Sequence, residues 1–371
     1  MPGVICALVV VPIAIGARPL SSVLLNRAAT LSGLRVRGPV HVVREAGAGF
    51  DADVMRAVER DYPRSLQRLD ASLYVGLGLL PGGESIRPAL RGTVAQSRAY
   101  YDPAARVLRV RQSPAPTRRA VLRELVRALV DQNFGLRRAT AVRRRDRDAS
   151  LAAATVIDGV ADAASGLRPP PVHGSRFARF LALEENSGSD VGRTLVGRLR
   201  YIGGTPAVAS ALRSFPATTE QVLHLDKFLE REGPMPVALT PVIDDLRLTA
   251  SETFGELDVR ALLRAFDVAD ADAVADGWSG GRIALYTTAT GQQSVALVLR
   301  WDTPADAAEW RADAPDYVAA AFPAAQERLC PAVDHCWLTG DRELATVTAD
   351  DVTVFASGAD AELVAAALIK G

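Results

Sequence analysis

Lysine is almost missing from this chain: of 43 cationic side chains only Lys227 and Lys370 are lysine, and the rest are arginine. With the abundant alanine, that bias fits a GC-rich genome and carries no functional meaning. Cysteine is scarce too. Cys6, Cys330 and Cys336 are too few for a disulfide-framework scaffold. The four histidines, His41, His173, His224 and His335, are scattered without helical partners, so no His-rich metal motif is present. Net charge is zero, which gives no support for a nucleic-acid partner or a charged membrane surface. Long apolar runs are also lacking. Residues 3–17 form the only one, too short to span a bilayer comfortably and interrupted by Pro12. Its length and the small residues Gly16 and Ala17 fit an export signal, although no Lys or Arg precedes it.

What is present suffices for a large core: 371 residues, 49% of them hydrophobic. Residues 34–43 alternate in part and read as a strand, residues 51–80 have helical spacing, and 100–111 reads as a hairpin turning at Tyr101-Asp102-Pro103-Ala104. Thr117 offers an N-cap to a helix that runs to Phe134, with Gly135 as its stop. Further helices are expected over 148–165 and 174–199, the latter interrupted near Asn186–Ser189. Beyond the break at Glu232-Gly233-Pro234-Met235-Pro236 the texture changes. Strands are expected at 283–288, 294–300, 336–339, 344–347 and 352–356, with helices at 304–321 and at the end of the chain. The pairs Gly203-Gly204 and Gly280-Gly281 read as turns. The expectation is an α+β protein: an apolar segment 1–17, a mainly helical portion 18–235, and a small α+β unit 236–371.

On the helix 117–134, Leu122, Leu125, Val126 and Leu129 share one arc, while Arg123, Glu124, Arg127 and Asp131 share the opposite one. Spacing alone makes that polar arc a solvated face, with Glu124–Arg127 and Arg127–Asp131 pairs each worth a few tenths of a kcal/mol.

The order of residues along this helix resembles the zinc-binding helix of zincin-like metallopeptidases, in which His-Glu-x-x-His places two imidazoles on one face and a Glu beside the metal-bound water. In particular, Arg127-Ala128-Leu129-Val130-Asp131-Gln132-Asn133-Phe134 is similar to the His-Ala-Leu-Gln-Asp-Gln-His-Phe segment of one bacterial group of exported zincin-like peptidases. That group takes its third ligand from a Glu-Gly-Asp-Ala segment, to which Asp158-Gly159-Val160-Ala161 is similar. Shorter likenesses occur at Gly78–Pro81, Tyr101–Pro103, Thr219–His224, Gly277–Arg282 and Trp301-Asp302, so the resemblance covers residues 35–365 in pieces. It implies a zincin-like fold, with Glu124 at the general-base position and His224 outside the metal site. Every ligand position departs from the pattern: Arg123 and Arg127 replace the histidines and Asp158 the glutamate. Arginine stays protonated and offers no lone pair, so it binds no metal cation. The resemblance therefore implies a metal-less, inactive relative, with no cofactor. In it Arg127 or Arg123 would pair with Asp158, and with Glu124, in place of coordination.

The function expected is that of an exported binding or regulatory protein holding an unidentified protein or peptide partner in the old cleft. No nucleic-acid partner is expected, and membrane association only through an uncleaved 1–17. Two alternatives remain. One is a hydrolase using Glu124 and Asp158 as an acid–base pair. The other is polyanion binding by the basic run Arg137–Arg147, which lacks interleaved aromatics and is diluted by Asp146. Export makes a Cys330–Cys336 disulfide the favoured reading of that pair; a zinc site from Cys330, His335 and Cys336 is the alternative. Asp158 and Asp162, at i and i+4, are weak candidates for a hard cation. No nucleophile elbow, phosphate-binding glycine loop or dinucleotide fingerprint occurs in the sequence.

Overall fold

A computed structural model describes residues 18–19, 22–137, 146–168, 174–340 and 342–370. The apolar stretch 3–17, His173 and most of the arginine run (138–145) lie outside the described residues. The fold is α+β, as the sequence pattern leads one to expect.

The first half of the chain is mainly helical. Strand β1 (Arg18–Pro19) and helix α1 (Ser22–Ser32) precede β2 (His41–Glu45), α2 (Gly47–Asp61), α3 (Arg64–Gly76) and α4 (Arg87–Gln96). The strand expected over 34–43 starts only at His41, because Gly38-Pro39 interrupts the extended run. The helix expected over 51–80 is two helices, broken at Tyr62-Pro63, since a proline cannot donate to the preceding turn. The expected hairpin forms as β3 (Ala99–Asp102) and β4 (Val107–Arg111), with its turn at 103–106 and not at Tyr101-Asp102-Pro103-Ala104, because Tyr101 and Asp102 still pair with Leu108 and Val107. These strands make a four-stranded sheet of order β1-β2-β4-β3, in which only the β2–β4 pair is parallel.

Three helices then define the region of interest: α5 (Arg118–Phe134), α6 (Arg147–Ser165) and α7 (Arg176–Glu185). A π-helical turn (Gly188–Gly192) leads into α8 (Arg193–Arg213), which bends at Gly203-Gly204, where Gly204 takes φ +61°. Short helices α9 (Thr219–Leu223) and α10 (Leu225–Glu230) follow. Apolar arcs of α1, α5, α6 and α8 meet the small sheet in one core that includes Leu25, Val42, Leu108, Leu129, Val160 and Leu199.

The remainder builds an eight-stranded antiparallel sheet. Its strands are β5 (Val242–Ile243), β6 (Leu246–Thr253), β7 (Trp278–Thr287), β8 (Gln293–Trp301), β9 (Gln326–Arg328), β10 (His335–Thr339), β11 (Arg342–Ala349) and β12 (Val352–Gly358), in the order β5-β6-β7-β8-β12-β11-β10-β9. Helices α11 (Glu256–Ala265), α12 (Ala271–Asp276), α13 (Pro304–Ala321) and α14 (Ala361–Leu368) complete it. Gly280-Gly281 lies within β7, at a register shift against β8, and is not a turn. There the backbone of Met235 comes so close that a Cβ on Gly280 would meet its carbonyl oxygen at 2.3 Å.

Successive residues of β8 and β12 feed opposite faces of this sheet, as the period-two pleat requires. Leu297, Leu299 and Phe355 point into one core, and Val298, Val354 and Ala356 into another under α14. The first of these holds all four tryptophans, Trp278, Trp301, Trp310 and Trp337. It also recruits α3 and α7: Leu73, Tyr74, Leu77, Phe177 and Phe180 are buried in it, and Tyr317 Oη donates to the Leu77 carbonyl at 2.8 Å. The boundary expected at 235/236 falls in an irregular stretch between α10 and β5, while the core beneath the large sheet draws residues from both sides of it.

Candidate functional site

Helix α5 has the ends its sequence specifies. Thr117 Oγ1 accepts from Ala120 N at 3.2 Å, and Gly135 closes the helix with φ +78°. Leu122, Leu125, Val126 and Leu129 are buried. The polar arc opposite is not a solvated face: it lies against α6 and β3, and Glu124 is only 5% exposed.

Two guanidiniums and three carboxylates interlock there. Arg127 Nη1 bonds Asp158 Oδ1, and Arg127 Nε lies 3.6 Å from Glu124 Oε2. Arg123 reaches three acids: Nη1 to Glu124 Oε1 at 2.9 Å, Nη2 to Asp158 Oδ2 at 3.2 Å and Nε to Asp162 Oδ1 at 2.6 Å. Glu124 Oε2 also accepts from the Tyr101 backbone N–H at 2.8 Å, which ties α5 to β3. The i,i+4 pair Arg127–Asp131 suggested by spacing is replaced: Asp131 accepts from Tyr101 Oη at 2.9 Å and from Leu136 N at 2.8 Å.

Electrostatics follow from this packing. Burial disfavours the charge on Arg123, but Asp158, Glu124 and Asp162 outweigh it and raise its pKa above the ordinary guanidinium value. Arg127 is raised in the same way, against burial, by Asp158 and Glu124. Burial likewise works against ionised Asp158, yet Arg127 and Arg123 hold its carboxyl below the usual range. Arg123, Arg127 and Asp158 are therefore each held in the charged form.

The floor of the site is fixed by backbone contact. A Cβ on Gly159 would stand 2.4 Å from the Gly192 carbonyl carbon, and one on Gly188 would stand 2.4 Å from Asp158 Cβ. The π-helical turn thus lies directly on α6, and from it Ser189 Oγ donates to Asp162 Oδ2 at 2.5 Å. Tyr100 and Glu185 stand at the rim. Burial pushes the Tyr100 hydroxyl up to about 12 despite nearby Arg127. Glu185 reaches water but is crowded by protein. That desolvation and the charge of Asp158 push its carboxyl up to about 7, against a hydrogen bond from Thr93 and the charge of Arg123.

A zinc ion of the kind that the resembled peptidases hold does not fit these residues. The guanidiniums offer only donors, and they occupy the carboxylates that would face a cation. Sequence reasoning had placed Asp158 here. It had treated Asp162 only as a weak cation ligand on the same helix face, and it missed Ser189 and Glu185, which arrive from the expected interruption near Asn186–Ser189 but whose partners no local pattern announces.

The other candidates lie elsewhere. Arg147, the last residue of the basic run, is turned inward: it pairs with Asp258 at 2.7 Å and Glu184 at 2.6 Å, and donates to Tyr74 Oη at 3.2 Å. Beside it, burial raises the Asp148 carboxyl well above its usual range, although Thr219 donates to it through both N–H and Oγ1. A Cβ on Gly255 would come within 1.7 Å of Asp148 Oδ1, so only glycine fits there. Cys330 and Cys336 are joined as a disulfide with Cα atoms 6.2 Å apart, and His335 instead faces Glu327 at 2.9 Å. Lys227 sits among Glu220, Asp302 and Glu232. An open pocket of about 570 Å³ lies away from the arginine cluster, lined by residues that include Arg198, Leu223, His224, Leu229 and Asp276.

A family profile described as a domain of unknown function (DUF8575) matches residues 245–367, the stretch that builds the large sheet and its helices. No curated protein and no solved structure matches the chain. Among the described residues, no helix is long and apolar enough to cross a membrane.

Proposed function

We propose that this chain is a zincin-like pseudo-metallopeptidase: a degenerate relative of the zinc peptidases that works outside the cytoplasm as a binding or regulatory protein for a protein or peptide partner. The observation that carries this reading is the placement of Arg123 and Arg127. They stand at the two ligand positions of the peptidase-like helix and are ion-paired to Asp158, the third position, and to Glu124, the base position. Two fixed positive charges thereby hold together carboxylates that would otherwise repel one another. The Cys330–Cys336 disulfide supports an oxidising compartment.

The geometry favours this reading over a carboxylate-based hydrolase. Each oxygen of Glu124 and of Asp158 is already engaged, by Arg123 and Tyr101 N on the first and by Arg127 and Arg123 on the second. Glu124 is also buried, so a substrate water would have to displace protein donors to reach it. Polyanion binding is weakened because Arg147 is committed to Glu184 and Asp258.

The test is hydrolysis of a fluorogenic peptide library by the zinc-loaded protein beside its Glu124→Gln variant. Equal, background-level turnover in both supports the proposal. Turnover that disappears in Glu124→Gln would overturn it.

A further inference from the structure

The cluster that the arginine site does not absorb lies around His224, between α9 and α10. Its Nε2 is 3.0 Å from Oε2 of Glu256, the first residue of α11, and 3.5 Å from Oδ1 of Asp276, the last residue of α12. Three separate elements thus deliver one imidazole nitrogen and two carboxylate oxygens to one point, and all three atoms lie within 4.8 Å of one another. In a tetrahedral zinc site with bonds of about 2.0–2.2 Å, neighbouring ligand atoms stand roughly 3.3–3.5 Å apart. The two separations from His224 bracket that edge length.

The surroundings have the parts such a centre uses. Glu256 is fully buried, and its second oxygen accepts from Arg260 Nη2 at 2.9 Å, which fixes the carboxylate's orientation as outer-shell partners do. Asp276 is 63% exposed and needs no burial to reach the ion. The pocket of about 570 Å³ opens on His224 and Asp276, leaving the fourth side of the tetrahedron to solvent or to a small ligand. Mixed imidazole and carboxylate donors suit zinc or another first-row divalent ion better than magnesium or calcium, which take oxygen alone. The positive charge of Arg260, 3.8 Å from Asp276 Oδ1, sets a limit on affinity.

We propose that His224, Glu256 and Asp276 form a divalent transition-metal site, zinc-type in its donor set, with an open coordination position facing the pocket. On this view the imidazole is neutral when the ion is bound, with its Nε2 lone pair on the metal in place of the hydrogen bond to Glu256. The site is independent of Arg123 and Arg127 and of their role.

Cobalt(II) and zinc titrations of the whole chain test this. The expected result is one ion per chain by elemental mass spectrometry after dialysis, and a visible cobalt spectrum of tetrahedral type. His224→Ala and Asp276→Asn should each weaken binding by at least the roughly 10–100-fold that outer-shell changes cost. Arg56→Ala, which alters an exposed residue of α2 outside this cluster, should leave the spectrum unchanged. Asp276→Asn alters an exposed side chain, so it keeps the test sound if His224→Ala fails to fold. Absence of a bound ion, or binding that survives Asp276→Asn and His224→Ala unchanged, overturns the proposal. So does an NMR titration in which His224 stays protonated at neutral pH in excess zinc.

Discussion

Arg123 Nε donates to Oδ1 of Asp162 at 2.6 Å, one helical turn beyond the aspartate that the resemblance singled out. Asp162 is buried, with side-chain exposure of 3%. The arginine therefore neutralises a carboxylate with no other cation at this distance in the cluster, while sharing Asp158 with Arg127. The unit is a network of five charged groups, and its members should not behave as independent pairs.

Removing one cation should expose that dependence. Arg127→Ala leaves Asp158 desolvated with only Arg123 opposite it, and should cost about 3 kcal/mol in urea unfolding. Arg127→Leu combined with Asp158→Leu should cost less than the sum of the two single changes, with an interaction energy of about 1–3 kcal/mol. Strict additivity would mean that the pair is not energetically coupled.

Glu185 supplies a pH signature. Its folded carboxyl is raised from the ordinary 4.5 to about 7, so its contribution to stability is complete below pH 4.5 and is lost as pH rises through about 7. The melting temperature should fall between about pH 4.5 and 7, and Glu185→Gln should flatten part of that fall. Asp158 acts at the other end. Its folded value lies below the ordinary 3.8, so its contribution is present above that value and is lost as the pH falls through the folded one. A thermal-shift series across pH, run on wild type and Glu185→Gln, reads both limbs.

Gly159→Ala should be among the most damaging small substitutions available. The added methyl meets the backbone of Gly192, which cannot rotate away as a side chain could. A loss of about 1–3 kcal/mol or more is expected from overpacking. Gly197→Ala, on α8 where an added Cβ meets nothing within 4 Å, is the matched control and should be neutral or mildly stabilising. Equal effects at the two glycines would contradict the close helix–turn contact.

The disulfide predicts a modest reductant effect. Cys330 and Cys336 are separated by 6 positions, and so short a loop constrains the unfolded chain by about 2 kcal/mol. Alkylation of unreduced, denatured protein should leave both cysteines unlabelled, and reduction should lower the melting temperature by a few degrees without unfolding the domain.

Local chemistry was legible wherever it decides structure. The cap and stop of α5 follow from Thr117 and Gly135, and α13 and the hairpin of β7 and β8 fall where the helix at 304–321 and the strands at 283–288 and 294–300 are expected. Breaks were harder, because Pro63 divides a stretch whose apolar periodicity continues on both sides. The pairing of Arg123 and Arg127 with Asp158 could be anticipated from the resemblance but not from the helix alone, whose spacing reads as a wetted face. Glu185, Ser189, Glu256 and Asp276 were invisible for a physical reason: each joins its cluster through tertiary packing of distant elements, and none carries a local signature.

The tryptophan placement has a practical corollary. Because all four indoles sit beneath the large sheet, intrinsic emission reports on that half of the molecule and is nearly blind to the α5–α6 cluster. Unfolding curves followed by emission watch the sheet half alone, whereas far-ultraviolet dichroism, which is dominated by the helices, also counts those of the other half. Superimposable curves would mean that the chain melts as one cooperative body, held by α3 and α7 lying under strands from the other end of the sequence. Separated curves would show the arginine-clustered half loosening by itself, in a step that fluorescence alone would never register.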